Sequence, residues 1–196
     1  MKTEIDDPIR QSATAFIRQH VAMGFDDADT IHGAALDHLA AECDFEILEP
    51  YLGRLTRELL AEHIRAQDAW PAETDCDRLD FAFLVLEEEQ GIVARQHFTC
   101  CQTDGHNDIW LEVREAQQHG PVTGYVFYHQ QDTETAVQHG KLFLAFGAVQ
   151  ESDAATCEIG RRIVQALRDA GLSVEWSGSP RERAVVKLNW QKRRTP

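Results

Sequence analysis

Side chains that can bind a metal ion are concentrated within residues 97–108. They are His97, Cys100, Cys101, Asp104, His106 and Asp108. Imidazole, thiolate and carboxylate are the ligand types of zinc sites, although structural zinc sites usually contain two spaced ligand pairs and no second pair appears here. Residues 92–100 also alternate like a β-strand, so both cysteines could bind one ion only if the strand ended at Cys100. We therefore predict no bound metal and no other cofactor.

The same cysteines raise the hypothesis of a reactive thiol. Cys101 precedes the predicted start of a helix, where the helix dipole can lower the pKa of a thiol. His97 or His106 could serve as the base for such a thiol. No acidic partner for either histidine is indicated by spacing, and a disulfide between the adjacent cysteines is disfavoured by the same strand alternation.

A second polar cluster lies at residues 125–132 and is the best candidate for a binding site. On a strand, Tyr125 and His129 share one face, while Tyr128 and Gln130 share the other. A strand end rich in aromatic and polar side chains suits a ligand pocket or a partner surface. In the alternative, Asp132 only caps a helical turn and the tyrosines belong to the core. The ligand-binding candidates are Cys101, His106, Tyr125, Tyr128, His129, Gln130 and Asp132.

Complete catalytic motifs are absent from the sequence. It contains no GxxxxGK[ST] or GxGxxG loop for phosphates, no GxSxG nucleophile elbow and no HExxH zinc motif. Catalytic residues are therefore left unassigned. The two polar clusters form one site only if the turn at 101–106 lies beside the turn at 129–132.

The distribution of charge argues against a general role in nucleic-acid binding. The net charge is −14, and residues 1–90 alone carry 21 acidic and 7 basic side chains. Such a surface repels phosphate backbones, and we expect either a solvated helical surface or a docking face for a basic partner. A basic C-terminal end could bind nucleic acid but equally complements the acidic helices. It contains Arg181, Arg183, Lys187, Lys192, Arg193 and Arg194.

The location of the protein is expected to be cytoplasmic. Residues 1–10 lack the apolar segment of a secretory signal, and the longest apolar runs, such as residues 81–86, are too short to span a bilayer. Five cysteines, an odd number at irregular spacing, favour a reducing compartment over a disulfide framework.

Hydrophobic spacing predicts a helical first half followed by alternating strands and helices. Apolar residues recur at helical spacing before residue 91, and Thr74 with Asp77 fits a capping box. The predicted helices cover 6–24, 27–41, 50–69, 74–90, 104–118 and 153–170, with a short helical turn at 132–137. The predicted strands cover 92–100, 122–130, 141–149, 172–176 and 183–190.

The order of these elements predicts an α+β fold. After residue 90 it begins β-α-β-β-α-β, the split pattern of ferredoxin-like sandwiches, with one strand appended. We expect an antiparallel or mixed sheet with helices on one face. The predicted domains are a helical extension at 1–90 and an α+β sandwich at 91–196, the alternative being a single indivisible domain over 1–196.

Several motifs together resemble an uncharacterised bacterial family, a domain of unknown function. The most specific are Phe-Thr-Cys-Cys-Gln-Thr at 98–103 and Gly-Tyr-Val-Phe-Tyr-His-Gln-Gln-Asp-Thr at 124–133. Trp-Pro at 70–71, Thr-Asp-Cys-Asp-Arg-Leu at 74–79 and Gly-Ile-Val-Ala-Arg at 91–95 extend the resemblance to about residues 65–195. It implies a bacterial cytosolic protein and transfers no catalytic residue. It also implies a third cysteine at position 104 in many members, where this chain has Asp104.

The sequence alone favours a non-catalytic protein-interaction or regulatory module. The expected partner is a protein, with a basic surface or a second copy of the chain as options, and neither nucleic acid nor membrane is expected. The alternative is a small metal-binding or thiol-dependent enzyme that uses the clusters at 97–108 and 125–132.

Overall fold

The computed structural model describes residues 4–195, which form two compact units. One unit contains the chain up to Ala72 together with the C-terminal segment from Gln191, and the other runs from Glu73 to Trp190. The described residues contain seven α-helices and five β-strands, so the predicted α+β class is confirmed. The predicted domain boundary at residue 90 stays a prediction, although the fourth helix belongs to the same compact unit as the sheet.

Along the chain, four helices come first, and strands and helices then follow in mixed order. The helices are α1 (Asp7–Met23), α2 (Ala28–Leu39), α3 (Phe45–Ala66), α4 (Asp75–Glu88), α5 (Gln102–Ala116), α6 (Gln130–His139) and α7 (Asp153–Asp169), with a 3₁₀ turn at Gln67–Ala69. The strands are β1 (Ile92–Arg95), β2 (Gly124–Phe127), β3 (Lys141–Ala148), β4 (Ser173–Glu175) and β5 (Ala184–Lys187). No helix among residues 4–195 combines the length and apolar character that crossing a membrane requires.

The first unit is a three-helix assembly with its own apolar core. The side chains of Asp6 and Asp27 accept hydrogen bonds from the first turns of α1 and α2, and this satisfies backbone donors that a helix start leaves unpaired. Arg194 donates to the backbone carbonyls of His20, Val21 and Asp26, which ties the C-terminal segment to this unit. One member of the basic C-terminal end is therefore bound to carbonyl groups of its own unit.

The start of α3 differs from the prediction. The helix begins at Phe45, after Asp44, and Pro50 lies inside it rather than at its first turn. Proline removes one backbone donor, and the cost is offset where the apolar face is buried. Leu48 and Leu52 on either side of Pro50 are both buried, which explains why the helix extends through the proline.

The second unit contains a mixed sheet with the strand order β1-β2-β3-β5-β4. β1 and β2 are parallel neighbours, and every other pair is antiparallel. The predicted ferredoxin-like topology is not confirmed. A split pattern separates the two parallel strands of a β-α-β unit, whereas here β1, α5 and β2 form such a unit with its strands side by side.

Helices cover both faces of the sheet, so the expectation of helices on one face is wrong. Ile109 and Val113 of α5 pack against one face, in a cluster with Tyr125 and Phe127. α7 packs on the other face, where Gly160 approaches the rings of Phe146 and Trp176. The sheet can be covered twice because several strands are buried on both faces, as in the continuous burial of β2.

Candidate functional site

The loop between β1 and α5 is where the structure departs most from the predicted strand. β1 ends at Arg95, and His97 and Thr99 then adopt left-handed backbone conformations with φ values of 51° and 60°. Such values are uncommon for residues other than glycine and interrupt the alternation of a strand. The predicted strand through Cys100 is therefore wrong, and so is the argument that places Cys100 and Cys101 on opposite faces.

Backbone hydrogen bonds join this loop to the turn that precedes α6. The N–H of Phe98 donates to the carbonyl of Tyr128 at 2.8 Å, and the N–H of Gln130 donates to the carbonyl of Thr99 at 3.1 Å. The side chains of His97 and Thr133 add a contact of 2.9 Å between Nδ1 and Oγ1. The turns that precede α5 and α6 therefore lie side by side.

Cys100, Cys101 and Asp104 form a cluster at the start of α5, which we call the thiol cluster. Their ligand atoms all lie within 4.8 Å of one another. The thiols of Cys100 and Cys101 donate to Oδ2 of Asp104 at 3.0 and 3.4 Å. Cys101 is the residue before the first turn of α5 and Asp104 lies in that turn, so the helix start itself brings the carboxylate back towards the thiols. Of the other metal-ligand candidates, His97, His106 and Asp108 lie outside this cluster.

Cys100 and Asp104 shift each other's pKa in opposite directions. The hydrogen bonds from both thiols, that of Cys100 first, lower the pKa of Asp104. The hydrogen bond to Asp104, followed by that with Cys101, raises the pKa of Cys100 to about 11. An ordinary thiol titrates nearer 8.5, so Cys100 is protonated at neutral pH and is a poor nucleophile.

The approach of α5 to the sheet determines where this cluster lies. Gly105 is buried, and a Cβ atom at this position would lie 2.4 Å from the ring of Phe127. The missing side chain lets the first turn of α5 contact the end of β2 directly. The ring of His106 packs edge-on against the same phenylalanine, with the centroids 5.3 Å apart.

His129, Asp132 and Arg183 form a second, buried cluster, which we call the capping cluster. His129 is the N-cap of α6: its Nδ1 accepts the N–H of Asp132 at 3.3 Å, and Asp132 Oδ2 accepts the N–H of His129 at 3.1 Å. Arg183 donates from one nitrogen, Nη2, to both Asp132 Oδ2 and the carbonyl of Phe143. The side chains of His129 and Asp132 are only 5% and 6% exposed. The cluster links the start of α6 to β3 and to the residue before β5.

The capping geometry specifies the tautomer of His129. An Nδ1 atom that accepts a hydrogen bond carries no proton, so the neutral ring holds its proton on Nε2, which lies 3.0 Å from Asp132 Oδ2. Burial, opposed by Asp132 and reinforced by Arg183, lowers the pKa of His129. The neutral form that caps the helix is therefore the form that burial favours.

The remaining predicted candidates serve the core or their own helix. Tyr125 packs edge-on against Trp110 on one face of the sheet, and burial raises its pKa. Tyr128 is fully buried, packs against Phe83, and donates its hydroxyl to Gln96 at 2.7 Å. The amide side chain of Gln130 donates to Glu134 within α6. Neither tyrosine belongs to the thiol cluster or the capping cluster.

A small cavity of about 100 Å³ lies beside the first turn of α5. It is lined by Gln102, His106, Ala145, Phe146 and the segment 180–183. Burial and then Arg183 lower the pKa of His106, so its imidazole is neutral at neutral pH. The sequence-based candidates included His106 but not Gln102 or Arg183. In the sequence, Arg183 is only one of several C-terminal basic residues, and no signal links it to Asp132.

The chain is an α+β protein with a helical unit and a mixed-sheet unit. Both polar clusters belong to the mixed-sheet unit and lie where α5 and α6 begin. The chain belongs to the family described as Domain of unknown function (DUF6891), whose model matches residues 6–194. This confirms the resemblance to an uncharacterised family. Searches of curated proteins and of solved structures found no match.

Proposed function

We propose that this protein binds a thiophilic divalent metal ion such as Zn²⁺ through Cys100, Cys101 and Asp104. The observation that carries the proposal is the convergence of two thiols and a carboxylate within 4.8 Å at an accessible helix start. Three protein ligands leave one tetrahedral position open for water or a substrate, which is the pattern of catalytic rather than structural zinc sites.

The distances within the thiol cluster suit a tetrahedral ion. With Zn–S bonds of about 2.3 Å and Zn–O bonds of about 2.1 Å, neighbouring ligand atoms lie roughly 3.5 Å apart. The sulfur-to-oxygen distances of 3.0 and 3.4 Å approach this value, so small side-chain rotations would open the space for the ion. The metal would replace the thiol protons, and its affinity would rise with pH.

Metal titration of the reduced, tag-free protein tests this proposal. Co²⁺ is a suitable probe because thiolate ligation produces a charge-transfer absorption, and Zn²⁺ should then displace it. We expect one equivalent to bind to the wild type, and binding to be lost in Cys100→Ser with Cys101→Ser and weakened in Asp104→Ala. The matched control is Cys157→Ser on α7, a cysteine whose thiol donates to the carbonyl of Gly178 instead. Equal binding by the double variant and the control would refute the proposed site.

A protein-interaction or regulatory module in the bacterial cytoplasm is the second candidate, and a specific surface favours it. Phe81 and Leu84 are 59% and 49% exposed on α4 and share one side of the helix, and Glu88 continues this row one turn further on. An apolar stripe beside acidic residues suits a partner with apolar and basic groups. Five free cysteines are consistent with a reducing compartment.

At the edge of the sheet, the structure favours a partner that docks on side chains over one that adds a β-strand. Glu87 accepts the N–H of Ala94, and the guanidinium of Arg95 donates to the carbonyl of Ala94. The N–H and the carbonyl of Ala94 lie on β1, which is an edge strand. Because these two side chains already bond to them, another strand cannot pair there easily.

Crosslinking and pull-down experiments with Phe81→Asp test the interaction candidate. The matched control is Leu111→Asp, which changes a leucine that is 57% exposed on α5. A partner or a second copy that is retained by the wild type and the control but lost by Phe81→Asp would support the surface on α4. Retention by all three proteins would count against it.

A further inference from the structure

The cavity beside the first turn of α5 is lined by Arg183, whose guanidinium is held in place by contacts within the protein. Nη2 of Arg183 is held by Asp132 and by the carbonyl of Phe143, and the guanidinium lies over the ring of Phe143 with a separation of 5.6 Å from the centroid. Arg183 still lines the cavity, with 23% of its side chain exposed. A ligand that uses this cation would not have to immobilise it, which lowers the entropic cost of binding.

The hydrogen-bonding capacity of this arginine is only partly used. Within residues 4–195, Nε of Arg183 is buried without a hydrogen-bond partner. Both hydrogen bonds of Arg183 leave from Nη2, so the donors of Nη1 are not used by Asp132 or Phe143. Buried donors in proteins are usually paired, so an unpaired one needs an explanation, and a bound molecule is one.

Neutral hydrogen-bonding groups complete the wall of the cavity. Nε2 of Gln102 lies 3.4 Å from Nε2 of His106, which places an amide and an imidazole side by side.

Charged groups of both signs face the same space: Arg181, Glu182 and Arg183 line it, and Asp132 pairs with Arg183. Arg181 also lies 3.9 Å from Asp153. A single negative charge therefore suits the cavity better than a multiply charged phosphate.

We propose that this cavity binds the carboxylate of a small organic acid or of a peptide C-terminus, with Arg183 as the cation and Gln102 and His106 as hydrogen-bonding neighbours. The volume of about 100 Å³ equals that of roughly three water molecules, enough for a carboxylate and little more. The remainder of the ligand would extend into solvent over Arg181 and Glu182, which are exposed. This proposal is independent of metal binding by the thiol cluster.

The guanidinium of Arg183 supplies a direct readout of carboxylate binding. It lines the cavity and is partly exposed, so a carboxylate that bonds to it should shift the NMR resonances of its N–H groups. The test is an NMR titration of the Arg183 side chain with acetate at low ionic strength, with chloride at equal ionic strength as the reference. We expect a saturable shift with acetate only. Equal responses to acetate and chloride would overturn the proposal.

Variants at exposed positions keep the test independent of folding. Gln102→Glu places a negative charge at the cavity wall and should weaken acetate binding severalfold. The matched control Gln118→Glu makes the same change beyond the other end of α5 and should leave binding unchanged. Equal weakening by both variants would show a non-specific charge effect and refute the site. Peptides with free and amidated C-termini then separate the two sources, since only the free terminus should compete with acetate if a peptide is the ligand.

Discussion

The thiol cluster and the capping cluster are built from similar groups but are used differently by the fold. In the thiol cluster, Cys100 and Asp104 are exposed, and the bonds of Asp104 are to two thiols that protect no backbone group. In the capping cluster, Asp132 is buried and its carboxylate satisfies a backbone N–H and a guanidinium at once. A buried charge requires such partners, whereas an exposed one does not.

This contrast separates a structural site from a candidate functional one. Removing the partners of Asp132 would leave a buried charge or a helix start without its cap, so selection for stability alone explains that cluster. Nothing in the stability of the fold requires two thiols to converge on an exposed carboxylate. The predictions below test this contrast, beginning with the largest expected effect.

Asp132→Ala should destabilise the protein strongly. The change removes one half of the capping box of α6 and leaves Arg183 without its carboxylate partner. Breaking a buried, hydrogen-bonded charge pair costs about 3 kcal/mol, to be measured as the change in free energy of unfolding in urea. Asp104→Ala is the matched control, for which we expect a much smaller change because its carboxylate is exposed. Equal destabilisation by both substitutions would contradict the division of roles.

Metal affinity at the thiol cluster should depend steeply on pH. The pKa of Cys100 is raised to about 11, so at neutral pH a metal must displace its proton, and each displaced proton makes affinity about tenfold higher per pH unit. Competition with a chelator of known affinity between pH 6 and pH 8 measures this slope. Asp104→Asn keeps both thiols, and the ordinary thiol pKa of about 8.5 still lies above this range, so its slope should be equally steep. A pH-independent affinity would exclude thiolate ligation.

Local signals in the sequence were sufficient to predict all seven helices in order and one of the caps, although not the start of α3. The capping box of Thr74 and Asp77 is present as predicted, and α7 covers residues 153–169 against a prediction of 153–170. Both depend on residues three or four positions apart, and such short-range relations are visible in a sequence. The α+β class followed from the same patterns.

Long-range pairing and an unusual backbone conformation account for what the sequence did not predict. Histidine is only modestly enriched at positive φ and a β-branched threonine rarely adopts it, so His97 and Thr99 gave too weak a signal to interrupt the predicted strand. The convergence of the cysteines was missed for that reason. Asp132 and Arg183 are 51 positions apart, and only the sheet order brings them together. The side-by-side arrangement of β1 and β2 likewise depends on packing that element order does not specify.

Alkylation of Cys100 should accelerate when Asp104 is changed to asparagine. The carboxylate raises the pKa of Cys100 above its ordinary value, and its removal should lower that pKa and increase the thiolate fraction at pH 8. The gain in rate is limited to about tenfold because a less basic thiolate is also a weaker nucleophile. Mass spectrometry of iodoacetamide-treated protein gives the rate at this position. Cys157 in the same sample is the internal control, and a parallel increase there would indicate general loosening instead.

The smallest expected effect is the acid sensitivity that His129 adds to the capping cluster. Its pKa is lowered in the folded protein by burial, so the unfolded chain binds the proton more readily. The contribution to stability is therefore complete above the unfolded pKa of about 6.5 and is lost as the pH falls below it. His129→Asn retains a side chain that can cap the helix but does not titrate, and it should reduce the loss of stability between pH 7 and pH 5 by less than about 1 kcal/mol. His139→Asn, at the exposed last position of α6, is the control. A pH profile of His129→Asn that coincides with that of the wild type would show that His129 does not take up a proton on unfolding.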